Sequence, residues 1–210
     1  MPFGNHGLAE VLRIVWAYDD FHSLSTLTDM GLDPDADGVL TDAELAQLQG
    51  FDMRWIAGFA GDAYLDQNGA PVPLSGPQQP TARVIGGRIV TTHLRRLARS
   101  LDPAAGPLVI RVHDPTYDTA YDTAYDSVMP VLFTNRSDCD AALILPDETA
   151  ANTALAAAPA ALAALAALAA LGPRQTLEDA GVDAAAAIGR AFAQQVVVTC
   201  GPWGRAGPSG

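Results

Sequence analysis

Twelve residues near the start of the chain, Asp33 to Glu44 (DPDADGVLTDAE), constrain it more than any other stretch. Asp33, Asp35 and Asp37 alternate, so their side chains can converge on one point, and Gly38 follows where the backbone must turn sharply. Val39 offers a carbonyl, Thr41 a hydroxyl that ligates directly or through water, and Glu44 a carboxylate able to bind with both oxygens. Leu40 supplies the apolar residue that tucks such a loop against the fold. This is the spacing of an EF-hand loop for Ca2+, with Asp33, Asp35, Asp37, Val39, Thr41 and Glu44 as ligands. Carboxylates crowded this closely repel one another unless a cation neutralises them; the alternative is an acidic turn that binds nothing. A single loop of this kind speaks against a sensor that opens on binding. It suits an ion that staples the fold, in the weaker affinity range of extracellular modules, roughly 0.1 to 1 mM.

The flanks read as helices. Asp19 and Asp20 can cap one through Met30, and Thr41 or Asp42 a second running to about Ala57, with Phe51, Trp55 and Phe59 on one face. The helix-loop-helix unit thus covers residues 19–59. Around it the pattern is mostly β. Leu8 to Tyr18 (LAEVLRIVWAY) reads as a buried strand, although a run this short also fits a helix. Tyr64–Leu65 and Val72–Leu74 flank a QNG turn, Arg83–Ile85 and Arg88–Leu97 flank Gly86-Gly87, and both pairs read as hairpins. Leu108 to His113 alternates like a half-buried strand, and Val131–Phe133, Ala141–Leu145 and Val196–Cys200 look like three more.

Two stretches are less ordinary. Thr116 to Ser127 (TYDTAYDTAYDS) repeats every four residues, which groups Tyr117, Tyr121 and Tyr125 on one face and Asp118, Asp122 and Asp126 on the other. Strand and helix both permit this grouping, with Tyr and Thr favouring strand; the Asp stripe is a solvated face or a cation site. Residues 150–171 are nearly all Ala and Leu. The run is long enough for a membrane span, but Pro159 interrupts it and no positive cluster flanks it. A helical hairpin packing Leu162, Leu165, Leu168 and Leu171 is the better reading, with an Ala-rich insert over 148–192. Residues 201–210 read as a disordered tail.

Composition excludes much. A formal net charge of -12 and a pI near 4.4 leave no basic face for nucleic acid. All 12 basic residues are arginine, so phosphate-loop, Schiff-base and kinase-type lysines are ruled out. His6, His22, His93 and His113 show no metal-ligand spacing, and no nucleophile elbow or dinucleotide fingerprint occurs. The chain is therefore not read as an enzyme. A hydrolase would need a pocket in which His22 or His113 meets carboxylates. Cys139 and Cys200 form no CxxC pair; they are a disulfide closing a long loop, or two buried thiols. Met1-Pro-Phe-Gly-Asn-His-Gly shows no secretory signal, which taken literally says cytoplasmic.

Several stretches together resemble a known family: WAYDDFHSL from Trp16, the acidic loop, FDMRWI from Phe51, HLRRLARSLDPAAGPLVIRVHDPTY from His93, Cys139, and VVVTC ending at Cys200. The family is an uncharacterised one of bacterial periplasmic proteins, labelled as the periplasmic component of an ABC-type transport system, and the resemblance covers about residues 8 to 200. It implies a periplasmic location, a metal-handling accessory role and an inner-membrane permease of nickel/cobalt type as partner. Members usually carry a signal peptide and a His-Pro-His start before the first strand; this chain resembles the family only after that point. The TAYD copies are also longer than the family pattern.

The expected fold is α+β: one domain over residues 1–200, with an antiparallel sheet or sandwich into which the EF-hand pair and the Ala-rich hairpin are inserted. The expected function is that of a periplasmic calcium-binding accessory component of a transport system. The competing reading is a calcium-stabilised structural or interaction module with no transport ligand.

Overall fold

The computed structural model describes residues 7–55, 59–114, 121, 133–156 and 189–201. In chain order its elements are β1 (Ala9–Ala17), α1 (Asp20–Met30), α2 (Asp42–Leu48), β2 (Ala63–Gln67), β3 (Ala70–Pro71), β4 (Gln78–Ile85), β5 (Arg88–Leu101), β6 (Leu108–Val112), β7 (Cys139–Ile144), α3 (Glu148–Ala156) and β8 (Gln194–Cys200), with a 3-10 turn at Pro103–Ala105. Helices and antiparallel sheets together make an α+β fold. The chain forms two compact units, one of Val11–Trp55 with Ser75–Arg96, the other of Met1–Glu10, Ile56–Leu74 and Leu97–Gly210.

The first unit is built on the sheet β1-β5-β4. Gly86 and Gly87, at φ 58° and 80°, make the two-residue turn that pairs Ile85 with Arg88; two successive positive φ values suit the twist of the flanking strands and favour glycine. Strand β5 alternates from Arg88 to Arg95, with Ile89, Thr91, His93 and Arg95 buried and Arg88, Val90, Thr92 and Leu94 half-buried. Helix α1 starts where the Asp19 carboxylate accepts the His22 N–H and stops at Gly31, φ 66°. Leu27, Leu32, Leu40 and Leu48 from the helices and loop pack on Ala82 and Ile89, each buried leucine contributing about 2 kcal/mol.

Helix α2 is shorter than its sequence suggests. It ends at Leu48 instead of near Ala57, because Gln49 leaves the helical region and Gly50 turns left-handed at φ 68°. The Gln49 amide then bonds both the N–H (2.8 Å) and the carbonyl (2.9 Å) of Ala82 on β4, which costs the helix its next turn but satisfies the strand. Phe51 and Trp55 therefore do not share a helical face. Trp55 instead donates its indole N–H to the Asp52 carbonyl at 3.0 Å.

The second unit holds the sheet β3-β2-β6-β8-β7, antiparallel throughout. Asn68 and Gly69 make the β2–β3 turn expected of QNG, both at positive φ. The register sorts side chains into two faces. Leu65, Ile110, Val196 and Leu143 form one cross-strand row, and Gln67, Leu108, Val198 and Ala141 the next. Leu65, Leu108, Val196 and Val198 are buried on this apolar face. The opposite face carries Tyr64, Asp66, Arg111 and Gln195, with Arg111 ion-paired to Asp66.

Cys139 and Cys200 stand directly opposite each other on β7 and β8 and form a disulfide, Cα–Cα 4.0 Å. A disulfide is consistent with an oxidising compartment. Beside it the buried Arg136 donates to the carbonyls of Gly7 (3.1 Å) and Gly201 and to both oxygens of Asp138.

Among the described residues no helix is long and apolar enough to cross a membrane. The Ala-rich insert is described only over α3 and a helical turn at 189–192. Its remainder, the tail from residue 202, Val131, and the Thr116–Ser127 repeat apart from Tyr121 lie outside the described residues. Phe133, expected in a strand, belongs to none.

Candidate metal centre

The loop begins where Gly31 ends α1 and Leu32 enters the core. Asp33 and Ala36 take left-handed conformations, φ 54° and 53°, and Gly38 a third at φ 76°. These turns fold the loop back on the Asp33 carboxylate, which accepts the N–H of Asp37 through Oδ1 and of Gly38 through Oδ2, both at 3.1 Å. Asp37 Oδ1 accepts the Val39 N–H at 2.7 Å. One carboxylate oxygen from each of Asp33, Asp35 and Asp37 lies within 4.8 Å of the others.

That spacing can be tested against an ion. Two oxygens sharing a calcium at roughly 2.3–2.6 Å each are at most about 5 Å apart, so the three aspartates fit a common hard cation. Charge points the same way. The neighbouring Asp37 carboxylate raises the pKa of the exposed Asp35, a repulsion that a bound cation would relieve.

The remaining expected ligands stand apart from this cluster. Glu44 closes the loop, its Oε1 accepting the Asp33 N–H (3.1 Å) and its Oε2 the N–H (2.8 Å) and hydroxyl (2.7 Å) of Thr41. These bonds hold its pKa below the ordinary carboxylate value, with Thr41 the largest cause. Thr41 is itself the N-cap of α2 and accepts the Glu44 N–H, so both residues form a capping box. The Val39 side chain faces solvent, as a residue offering only its carbonyl can.

His6 lies outside the described residues, and the three described histidines differ from one another. His22 stacks on Tyr18, ring centroids 4.9 Å apart. His93 is fully buried, edge-on to Trp55 at 5.6 Å, with neither ring nitrogen hydrogen-bonded; burial lowers its pKa to about 4. Near it Asp52 Oδ2 accepts the hydroxyls of Tyr18 (2.9 Å) and Thr91 (2.7 Å), and desolvation with the Asp52 charge pushes the Tyr18 phenol up. His113 stacks on Tyr64 at 4.2 Å and donates its backbone N–H to the Asp62 backbone carbonyl at 3.0 Å. Asp62 in turn accepts the Tyr121 hydroxyl at 2.6 Å, and burial raises its pKa to about 6.

Asp52 and Asp62 carry no signal in the sequence. Their partners lie 39 residues away at Thr91 and 59 at Tyr121, too far along the chain for a local pattern to reveal.

Neither a curated protein nor a solved structure matches the chain. A family model does match it, from residue 2 to residue 200, so the chain belongs to the family described as "Protein of unknown function (DUF1007)".

Proposed function

We propose that the chain is a periplasmic accessory component of a metal transport system, and that its loop Asp33–Glu44 binds one Ca2+. The observation that carries the calcium reading is the convergence of the Asp33, Asp35 and Asp37 carboxylates to within 4.8 Å. Those three would hold the ion, with the Val39 carbonyl, Thr41 and Glu44 completing the oxygen set once Glu44 exchanges its cap bonds for the cation. Bound there, calcium would neutralise the loop's repulsion and tie the end of α1 to the start of α2. The disulfide supports an oxidising compartment, of which the periplasm is one. The transport role and the permease partner rest on the family resemblance.

A second reading is favoured by the way the loop's neighbours pack. Leu32, just before the loop, and Leu40, within it, belong to the core of their unit, so an ion there would act on stability whatever else the protein does. In that reading the chain is a calcium-stabilised interaction module with no transport ligand. Calorimetric titration of the metal-stripped protein with calcium tests the shared premise: absence of binding removes both readings. Co-purification with an inner-membrane metal permease separates them, since capture supports the transport component and its absence favours the module.

A further inference from the structure

We propose that the open face of the sheet β1-β5-β4 is a docking surface for an acidic protein segment, gripped by arginines set around an aliphatic centre. The surface is independent of the calcium loop and of the transport role. All of its residues belong to the unit of Val11–Trp55 with Ser75–Arg96.

Register decides which side chains share this face. Strand β4 pairs with β5 so that Thr81 stands opposite Thr92, Arg83 opposite Val90 and Ile85 opposite Arg88. The end of β1 meets the start of β5 where the Tyr18 N–H bonds the Ile89 carbonyl at 2.9 Å. Running antiparallel from that pair, Ala17 comes beside Val90, Val15 beside Thr92 and Arg13 beside Leu94, and directly opposed residues point to one side of a sheet. The inner side carries Ala82 and Ile89 under the leucines of the helices and loop. The outer side is open: Val15 is 55% and Ile85 59% exposed, and Arg13, Arg83 and Arg96 are exposed as well.

Apolar and charged groups are sorted on it. Val15, Val90 and Leu94 hold the middle, where the Thr81 and Thr92 hydroxyls bond each other at 2.7 Å. The two edge strands supply Arg13 and Arg83, and the ends of the outward row of β5 supply Arg88 and Arg96. Arg88 is engaged in part, its Nε 2.8 Å from the Tyr18 carbonyl and 3.7 Å from the Asp20 carboxylate, and Arg96 donates to Gln78 at 3.3 Å. Arg13 and Arg83 have no ion pair among the described residues. From Arg13 to Ala17 and along β4 and β5 no carboxylate stands on this face, although the chain has 24 acidic residues against 12 basic ones.

That local reversal of sign selects the occupant. A second copy docked face to face would set arginine against arginine. Nucleic acid and anionic bilayers present extended negative fields that a net charge of -12 repels, and the face has no aromatic residue to anchor among headgroups. A short carboxylate-bearing segment fits, because guanidinium groups take carboxylates through paired bonds and an apolar centre with a polar rim is ordinary interface anatomy. Three strands wide and running from Arg88 to Arg96, the patch measures roughly 15 by 27 Å. That is about half of one side of a standard interface, which suits a transient contact.

The test titrates the full, disulfide-intact chain in saturating calcium with short synthetic peptides rich in glutamate and valine, followed by fluorescence anisotropy. Peptides with glutamine or lysine in place of glutamate are the comparison. The acidic peptide should bind in the micromolar range and the other two should not. Affinity should fall about tenfold or more as salt rises from about 0.05 to 0.5 M, and as much in the double variant Arg13→Glu with Arg83→Glu. Arg54→Glu should leave binding unchanged, since Arg54 follows Asp52, which bonds the inward-facing Thr91. No binding of the acidic peptide, equal binding of the glutamine peptide, or full affinity in the double variant overturns the proposal. Phosphatidylglycerol vesicles bound in place of the peptide would assign the face to lipid, and a dimer abolished by the double variant would assign it to a second copy; either result also overturns it. Should the double variant fail to fold by circular dichroism, the Val15 and Ile85 methyl resonances of the native protein decide: the acidic peptide must shift them, and unmoved resonances end the idea.

Discussion

The carboxylate of Glu44 accepts the backbone N–H of Asp33, so the last residue of the acidic loop is tied to its first while also capping α2. Two roles on one side chain make the loop variants distinguishable. Asp33→Ala should lower the melting temperature in calcium to the value in chelator. For an affinity of roughly 0.1–1 mM, 10 mM calcium should stabilise the native protein by about 1.4–2.7 kcal/mol. Glu44→Ala should lose that gain and a further 1 kcal/mol or so even in chelator, through the lost cap. Asp35→Asn should lose part of the gain yet melt slightly higher in chelator, because it removes the repulsion from Asp37. Thermal melts with and without calcium check all three, and a calcium gain that survives in Asp33→Ala removes the staple.

The cross-strand disulfide closes a separation of 61 residues. In the chain-entropy model a loop of that size stabilises by about 4 kcal/mol. Non-reducing mass spectrometry of periplasmic material should show Cys139 linked to Cys200, and Cys139→Ser should bring a large fall in the denaturation midpoint. Two free thiols in such material would count against the compartment as well as the bond.

Arg136 gathers the segment before β1 and the one after β8 through one guanidinium, bonding Gly7, Gly201 and Asp138. Its removal strands two carbonyls and a carboxylate. Arg136→Ala should destabilise by about 2–3 kcal/mol, and Arg136→Lys should recover little because an ammonium cannot reproduce the planar fork. Urea unfolding measures both; full rescue by lysine would mean that charge alone matters.

Burial of His93 makes a pH prediction. Its folded pKa, about 4, lies below the unfolded value near 6.5, so the unfolded state binds the extra proton and stability is lost as pH falls through that window. His113 behaves alike, also at about 4, while Asp62, raised to about 6, takes up a proton in the folded state and roughly offsets it. The net expectation is a loss of about 1.4 kcal/mol per pH unit from pH 6 to 4.5, with metal absent. His93→Leu should flatten that slope. A slope left intact would assign it to other groups.

What the sequence determined by itself is local. Asp19 before the first helix, Thr41 with Glu44 at the second, the QNG and Gly-Gly turns, and the alternation read along β6 all act within a few residues; the helix starts and turns formed where those signals stood, while the strand expected at Val72–Leu74 formed instead at Ala70–Pro71. The alternating aspartates were likewise enough to place Asp33, Asp35 and Asp37 around one point. The end of α2 was harder to read, because the apolar spacing of Phe51 and Trp55 suggests helix while Gly50 and the bonding of Gln49 to Ala82 oppose it. Tertiary structure alone decided the rest. Glu44 turns to its cap because Thr41 and Asp33 offer it three donors, and spacing does not reveal whether a carboxylate will prefer donors or a cation. Tyr64 stands opposite Arg111 only because β2 and β6 pair in one register, and a shift of one residue would have placed the two on opposite faces of the sheet. Register is set by the packing of the whole apolar face of Leu65, Leu108, Val196 and Val198, residues spread along the chain, so no short stretch of sequence contains it.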